Sequence, residues 1–108
     1  MTALEIQKQL IQLKSKFPRD AKWWRHYYKL RSAFYSSTKW KNLRQRVLKK
    51  YKSECVLCHK RARDVHHILT IFAYPEYMLD FVNLILLCRS CHKTYHKTHN
   101  GLSTVIKT

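Results

Sequence analysis

Four cysteines and a group of histidines are the residues in this chain best suited to chemistry. Cys55 and Cys58 form one C-x2-C pair, and Cys88 and Cys91 form a second. A C-x2-C knuckle presents two thiolates from one tight turn, and zinc prefers four tetrahedral ligands with sulfur at about 2.3 Å. Two identical spacings favour a single metal knot over a disulfide framework or incidental thiols. Four sulfurs close the coordination sphere, so a Zn2+ ion held here is expected to support structure and not to activate water. A zinc ribbon would have only a hairpin between its two knuckles. Residues 59–87 here hold the adjacent histidines His66 and His67.

Adjacent residues on a strand point to opposite faces unless the strand ends and twists there, so one imidazole can face a metal while the other faces a substrate. His92 and His96 stand four apart, on one face of a helix. His66, His92 and His96 are therefore candidate ligands for a divalent cation with open positions. Mg2+, Mn2+, Ni2+ or Zn2+ suits such a set, and affinity order alone does not choose among them. An open position lets the cation bind a scissile phosphate, offset the charge that builds on it and stabilise the leaving 3′ oxygen. Imidazole, with an unperturbed pKa near about 6.5, supplies a neutral base at pH 7. His67 is the candidate for deprotonating the attacking water. His26, His59 and His99 are read as surface or hydrogen-bonded histidines.

The elements that must position these groups are legible in part. Ala3, Ile6, Leu10, Leu13 and Phe17 recur in steps of three and four, which marks an amphipathic helix ending at Pro18. Such a stripe docks on a core or forms a dimer seam. Asp20 is a candidate N-cap for a second helix that buries Trp23, Tyr27, Leu30 and Phe34 while Arg25, Lys29 and Arg31 project elsewhere. Packing is the simplest role for the aromatics, although base stacking by Trp23 or Trp24 also suits rings beside cations. Ser36, Ser37 and Thr38 offer a cap for a third helix burying Trp40, Leu43, Val47 and Tyr51. Its wet face carries Lys39, Lys41, Arg44, Arg46, Lys49 and Lys50 with no acid among them, a candidate nucleic-acid-binding surface. After the first knuckle, a strand is expected over 64–69, a loop with Pro75, a second strand over 83–87, and a helix over 88–100 stopped by Asn100 and Gly101.

The 108 residues hold 22 Lys and Arg against 6 Asp and Glu, a net charge of +16. Such a field favours polyanions, and nucleic acid is the natural partner. Residues 1–64 carry 18 of the cations and 4 of the acids, so the grip lies ahead of most of the histidines. The aromatics are not gathered on one long apolar face, which argues against a membrane surface. No apolar run approaches the roughly 20 residues that span a bilayer, and the N-terminus lacks the compact apolar stretch of a secretory signal. A cytoplasmic protein is expected.

Asp64-Val65-His66-His67-Ile68, Asn83-Leu84 and Leu87-Cys88-Arg89-Ser90-Cys91-His92 resemble the signature of the HNH endonucleases, over roughly residues 51–100. The run Trp40, Leu43, Arg44 and Val47 also resembles the helix that often precedes the motif in small phage and bacterial members. The resemblance implies an α+β fold, a ββα-metal (His-Me finger) core stapled by a four-cysteine zinc site and preceded by basic α-helices. It implies one compact domain: a basic helical extension over 1–50 packing on the core, a nuclease core over 51–101, and a tail over 102–108.

The resemblance further implies metal-dependent hydrolysis of DNA, nicking or double-strand cleaving, with little sequence recognition. His67, Asn83 and His92 would be the catalytic set. His67 would be the water-activating base, His66 and His92 metal ligands, and Asn83 the residue that holds the loop between the strands through side-chain bonds to backbone. His96 matches only some members. Where the family places Gly after the second cysteine, this chain has His59. Members in phages work beside packaging proteins and bacterial ones in restriction or mobile elements, so a packaging or restriction partner, or a homodimer, would fit. A non-catalytic zinc-finger module binding nucleic acid shares the charge and the cysteines, but does not need His66, His67 and His92. A degenerate nuclease kept as an adaptor would show a damaged histidine set.

Overall fold

A computed structural model describes the backbone of residues 1–99 and the side chains of residues 1–95. The stop expected at Asn100 and Gly101 and the tail over 102–108 lie outside the described residues. In chain order the elements are α1 (Ala3–Lys14), α2 (Ala21–Tyr35), α3 (Thr38–Lys50), β1 (Asp64–His67), 3-10 turns at Pro75–Tyr77 and Phe81–Asn83, β2 (Leu84–Leu87) and α4 (Arg89–His99). The chain clusters into two compact units, residues 1–42 and the residues from Leu43 onward.

In the first unit, Thr2 and Glu5 close a capping box that starts α1, and Ala3, Ile6, Leu10 and Leu13 form its buried stripe. The stripe stops one step earlier than the sequence periodicity suggests. Ser15 caps the helix with its N–H on the Gln12 carbonyl, and the next N–H, of Lys16, bonds the Leu13 carbonyl. Phe17, expected to continue the stripe, is 75% exposed. A residue ahead of proline is pushed out of the helical region, and the Phe17 ring instead lies 5.2 Å from the Arg19 guanidinium. Asp20 caps α2 by accepting the Trp23 N–H, and Trp23, Tyr27, Leu30 and Phe34 are buried as their spacing implies. The Trp23 indole N–H donates to the Leu13 carbonyl at 3.0 Å. Trp23 is thus a packing residue that ties α2 to α1, out of reach of a nucleobase. Ser37 Oγ accepts the Trp40 N–H and starts α3.

In the second unit, Leu43 and Val47 are buried on α3, whereas Tyr51, expected beside them, is only half-buried. The helix has ended at Lys50, and the chain turns away through Lys52 and Ser53, both at positive φ (53° and 59°). The N–H of Val56, in the first knuckle, donates to Leu86 O at 3.0 Å and fastens the knuckle to β2. Strands β1 and β2 pair antiparallel, from Asp64 opposite Leu87 to His67 opposite Leu84. Both are shorter than expected. Past His67 the ladder gives way to bonds with Asn83, and Asn83 itself closes a 3-10 turn. Leu84, Leu86, Leu87, Met78 and Cys55 are each at most 1% exposed and belong to the core of this unit. Each such leucine contributes roughly 1.5–3 kcal/mol by leaving water. Helix α4 then packs on both strands. The fold is α+β, with a strand–strand–helix core preceded by basic helices.

Candidate active site and metal centres

Strand alternation sets the first feature of the site. Asp64 and His66, two residues apart on β1, both face α4, where each meets His92. The Nδ1 of His66 lies 3.2 Å from the Nε2 of His92, and the Nδ1 of His92 lies 3.2 Å from the Oδ2 of Asp64. A carboxylate only accepts, so His92 Nδ1 carries the proton and its Nε2 lone pair is aimed at His66. Two imidazole ligands at about 2.0–2.1 Å in a tetrahedral sphere would stand about 3.3 Å apart, so the observed spacing fits joint ligation of one ion. His66 is 1% exposed, and its ring packs edge-on against Tyr95 with centroids 4.8 Å apart. His92 and Asp64 are about a quarter exposed (26% and 28%), so solvent reaches this pair. The side chain of His96 lies outside the described residues.

His67, the last residue of β1, makes different contacts. Its Nε2 is 3.0 Å from the Met78 carbonyl. A carbonyl accepts only, so Nε2 is protonated and a neutral His67 ring keeps its lone pair on Nδ1. Asn83 holds the loop that supplies this carbonyl. Its Oδ1 accepts the Leu69 N–H at 2.8 Å, and its Nδ2 donates to Leu69 O at 3.0 Å and Tyr77 O at 3.1 Å. One buried amide therefore fixes the residue two beyond His67 and the residue just before Met78.

The four cysteines meet where the first knuckle touches the junction of β2 and α4. None is in a disulfide, and their sulfurs all lie within 4.8 Å of one another. A tetrahedron of sulfurs at about 2.3 Å from its centre has edges of about 3.8 Å, and Cys58 and Cys88 are 3.6 Å apart. Burial raises the Cys55 thiol, but backbone N–H groups of Cys58, Cys88 and Leu57 outweigh it and hold it down to about 6. Bonds with the Cys88 and Cys58 sulfurs push Cys91 up to about 12. Sulfurs so close cannot all ionise without a cation among them, so this cluster can hold a metal ion. His59, standing where glycine is usual, completes the knuckle at φ 66° with its N–H on the Cys55 carbonyl.

The basic candidates on α3 divide between the units. Lys39 and Lys41 are exposed in the first; Arg46, Lys49 and Lys50 are exposed in the second. Arg44 is half-buried, and its guanidinium donates to the Arg63 carbonyl at 2.8 Å, pinning the chain just ahead of β1. Arg46 and Lys50, one turn apart, lie 4.4 Å and 5.1 Å from the Phe81 ring. Phe81 opens the 3-10 turn that ends in Asn83.

Three contributors escaped the sequence reading: Asp64 behind His92, the Met78 carbonyl behind His67, and Phe81 beneath the α3 cations. For Asp64 a signal existed, since a carboxylate two residues before a candidate ligand on a strand shares its face.

A two-stranded hairpin and a helix that bring two imidazoles together, stapled by four cysteines, define the ββα-metal class of nucleases. The family model for HNH endonuclease matches residues 55–98. Among solved structures, the chain is similar to the HNH endonuclease of the deep-sea thermophilic bacteriophage GVE2, determined with a manganese ion. The two share 30% identity and a TM-score of 0.68 over 76% of this chain and 96% of that one. No curated protein sequence matches. The chain belongs to the HNH endonuclease family and is a metal-dependent nuclease. No helix among the described residues is long and apolar enough to cross a membrane.

Proposed function

We propose that this chain cuts DNA by metal-dependent phosphodiester hydrolysis, with His67 as the general base and a divalent cation held by His66 and His92. The observation that carries the reading is the pair of ring nitrogens of His66 and His92, 3.2 Å apart on neighbouring elements. A bound divalent cation supplies Lewis acidity to the scissile phosphate and to the leaving 3′ oxygen. His66 and His92 hold it, with His96 as a third ligand. Asp64 keeps His92 in the tautomer whose Nε2 lone pair can bind a cation. His67, anchored through Nε2–H to Met78 O, takes the proton of the attacking water on Nδ1. Asn83 positions His67 through the loop backbone.

The four cysteines hold a structural Zn2+ ion whose closed sphere keeps it out of the reaction. Residues 51–101 serve as the nuclease core and residues 1–50 as a basic extension. Lys39, Lys41, Arg46, Lys49 and Lys50 grip phosphates, and Arg44 contributes less because Arg63 O occupies it. DNA is the substrate that a charge of +16 and this site chemistry favour together. Few elements remain for reading bases, so specificity comes from a partner or a second copy. A single active site nicks one strand. Likeness to a bacteriophage enzyme supports a phage setting.

The test is nicking of supercoiled plasmid with a panel of divalent ions, comparing wild type with His67→Ala. Retained DNA binding with lost nicking supports the assignment. Equal nicking by both proteins overturns it.

A further inference from the structure

Residues 21–53 contain eleven Lys or Arg and no Asp or Glu. The α3 cations account for only part of that run. Lys22, Arg25 and Lys29 are exposed on α2, at spacings of three and four that place like charges side by side. Such pairs destabilise a helix, and acids at the same spacing would have stabilised it. Between them stands Tyr28, 54% exposed, its ring stacked on Trp24 with centroids 5.8 Å apart and planes 30° apart. Two shallow grooves meet at Tyr28, one flanked by Arg25 and Lys29 and the other by Arg31 and Tyr35.

We propose that the outer face of α2 is a second nucleic-acid contact, in which Arg25 and Lys29 take backbone phosphates and Tyr28 lies against a sugar or base. The proposal rests on the reading of the chain as a DNA endonuclease and adds a surface in the first unit, separate from the cleavage chemistry. Cations flanking an aromatic platform are the combination that binds a sugar–phosphate strand without reading its sequence. An anionic lipid surface fits less well. The apolar side of α2, formed by Trp23, Tyr27, Leu30 and Phe34, is already buried in the protein, so no apolar face is left to enter a bilayer.

The full-length protein in a His67→Ala background, with and without Arg25→Gln/Lys29→Gln, is titrated against a short DNA duplex across a salt series. Each phosphate contact steepens the log–log salt dependence by about 0.9. The double variant is expected to lower that slope by about 1.8 with an unchanged melting temperature. Tyr28→Ala is expected to weaken binding about tenfold with the slope unchanged. A slope within about 0.3 of the parent's, or a loss of binding confined to phosphatidylserine vesicles, overturns the proposal. Nicking that survives His67→Ala overturns the nuclease mechanism instead and leaves the slope comparison standing.

Discussion

The carboxylate of Asp64 accepts a hydrogen bond from His92 across the strand–helix boundary, Oδ2 to Nδ1 at 3.2 Å, from a position 28 residues earlier in the chain. That contact decides which nitrogen of His92 faces His66. A carboxylate behind a ligating imidazole fixes the tautomer and raises its basicity, and loss of such a partner costs about 10–100-fold in metal affinity.

Asp64→Asn is therefore expected to weaken Mn2+ binding by about 10–100-fold, measured by calorimetry. Asp64→Glu recovers part of the loss. The melting temperature of the protein without added Mn2+ stays within about 2 °C of wild type, because the pair is a quarter exposed and contributes little to folding. Equal Mn2+ affinity in Asp64→Asn and wild type contradicts the role.

The two proposed metal centres separate by what their loss does. Cys55 is fully buried beside the knuckle bond to Leu86, and metal binding at a closed thiolate site is coupled to folding. Cys55→Ala, or stripping of the ion by a strong chelator, is expected to abolish the cooperative thermal transition. His92→Ala is expected to melt normally and to cut no DNA. Normal melting of both variants would show that the cysteine ion is not structural.

The clustering of the four cysteines and the meeting of His66 with His92 are legible in the sequence, because C-x2-C spacing and adjacent histidines are local patterns whose chemistry depends little on the rest of the fold. The helices of the first unit follow from their stripes for the same reason. Phe17 shows the limit: periodicity carried the stripe one step further, while Ser15 and the coming Pro18 had already ended the helix. Strand alternation places Asp64 on the face of His66, but its partner His92 lies 28 residues away, and the Met78 carbonyl meets His67 across 11 residues with no local pattern to announce it. Trp23 was ambiguous because ring chemistry does not distinguish a core position from a nucleobase platform. The Leu13 carbonyl on its indole N–H decides for the core.

Asn83 donates to two carbonyls and accepts one N–H, so the isosteric Asn83→Asp keeps the acceptor and replaces the donor with negative charge facing Leu69 O and Tyr77 O. A buried group left without its partner costs about 1–3 kcal/mol, more when charged. The variant is expected to melt at lower temperature and to cut with a reduced single-turnover rate. An unchanged rate in folded protein would show that the loop clamp does not govern His67.

His59 holds φ 66° without being glycine, a conformation that costs a residue with a Cβ on the order of 1 kcal/mol. His59→Gly relieves it and gives back part of the gain as extra freedom in the unfolded chain. The expected net effect is a stabilisation of about 0.5 kcal/mol, a rise of roughly 2–4 °C in melting temperature, with nicking unchanged. A fall in melting temperature would mean that the imidazole contributes a contact that outweighs the backbone strain.

Joint ligation by His66 and His92 is most directly read by pulsed EPR of the Mn2+-loaded protein, which detects each directly bound imidazole through its nitrogen coupling. The wild type is expected to show coupling from at least two ring nitrogens, His92→Ala to lose one, and His67→Ala to keep them all. A wild-type spectrum with water couplings alone, or one that His67→Ala alters and His92→Ala does not, would contradict the assignment of ligand and base.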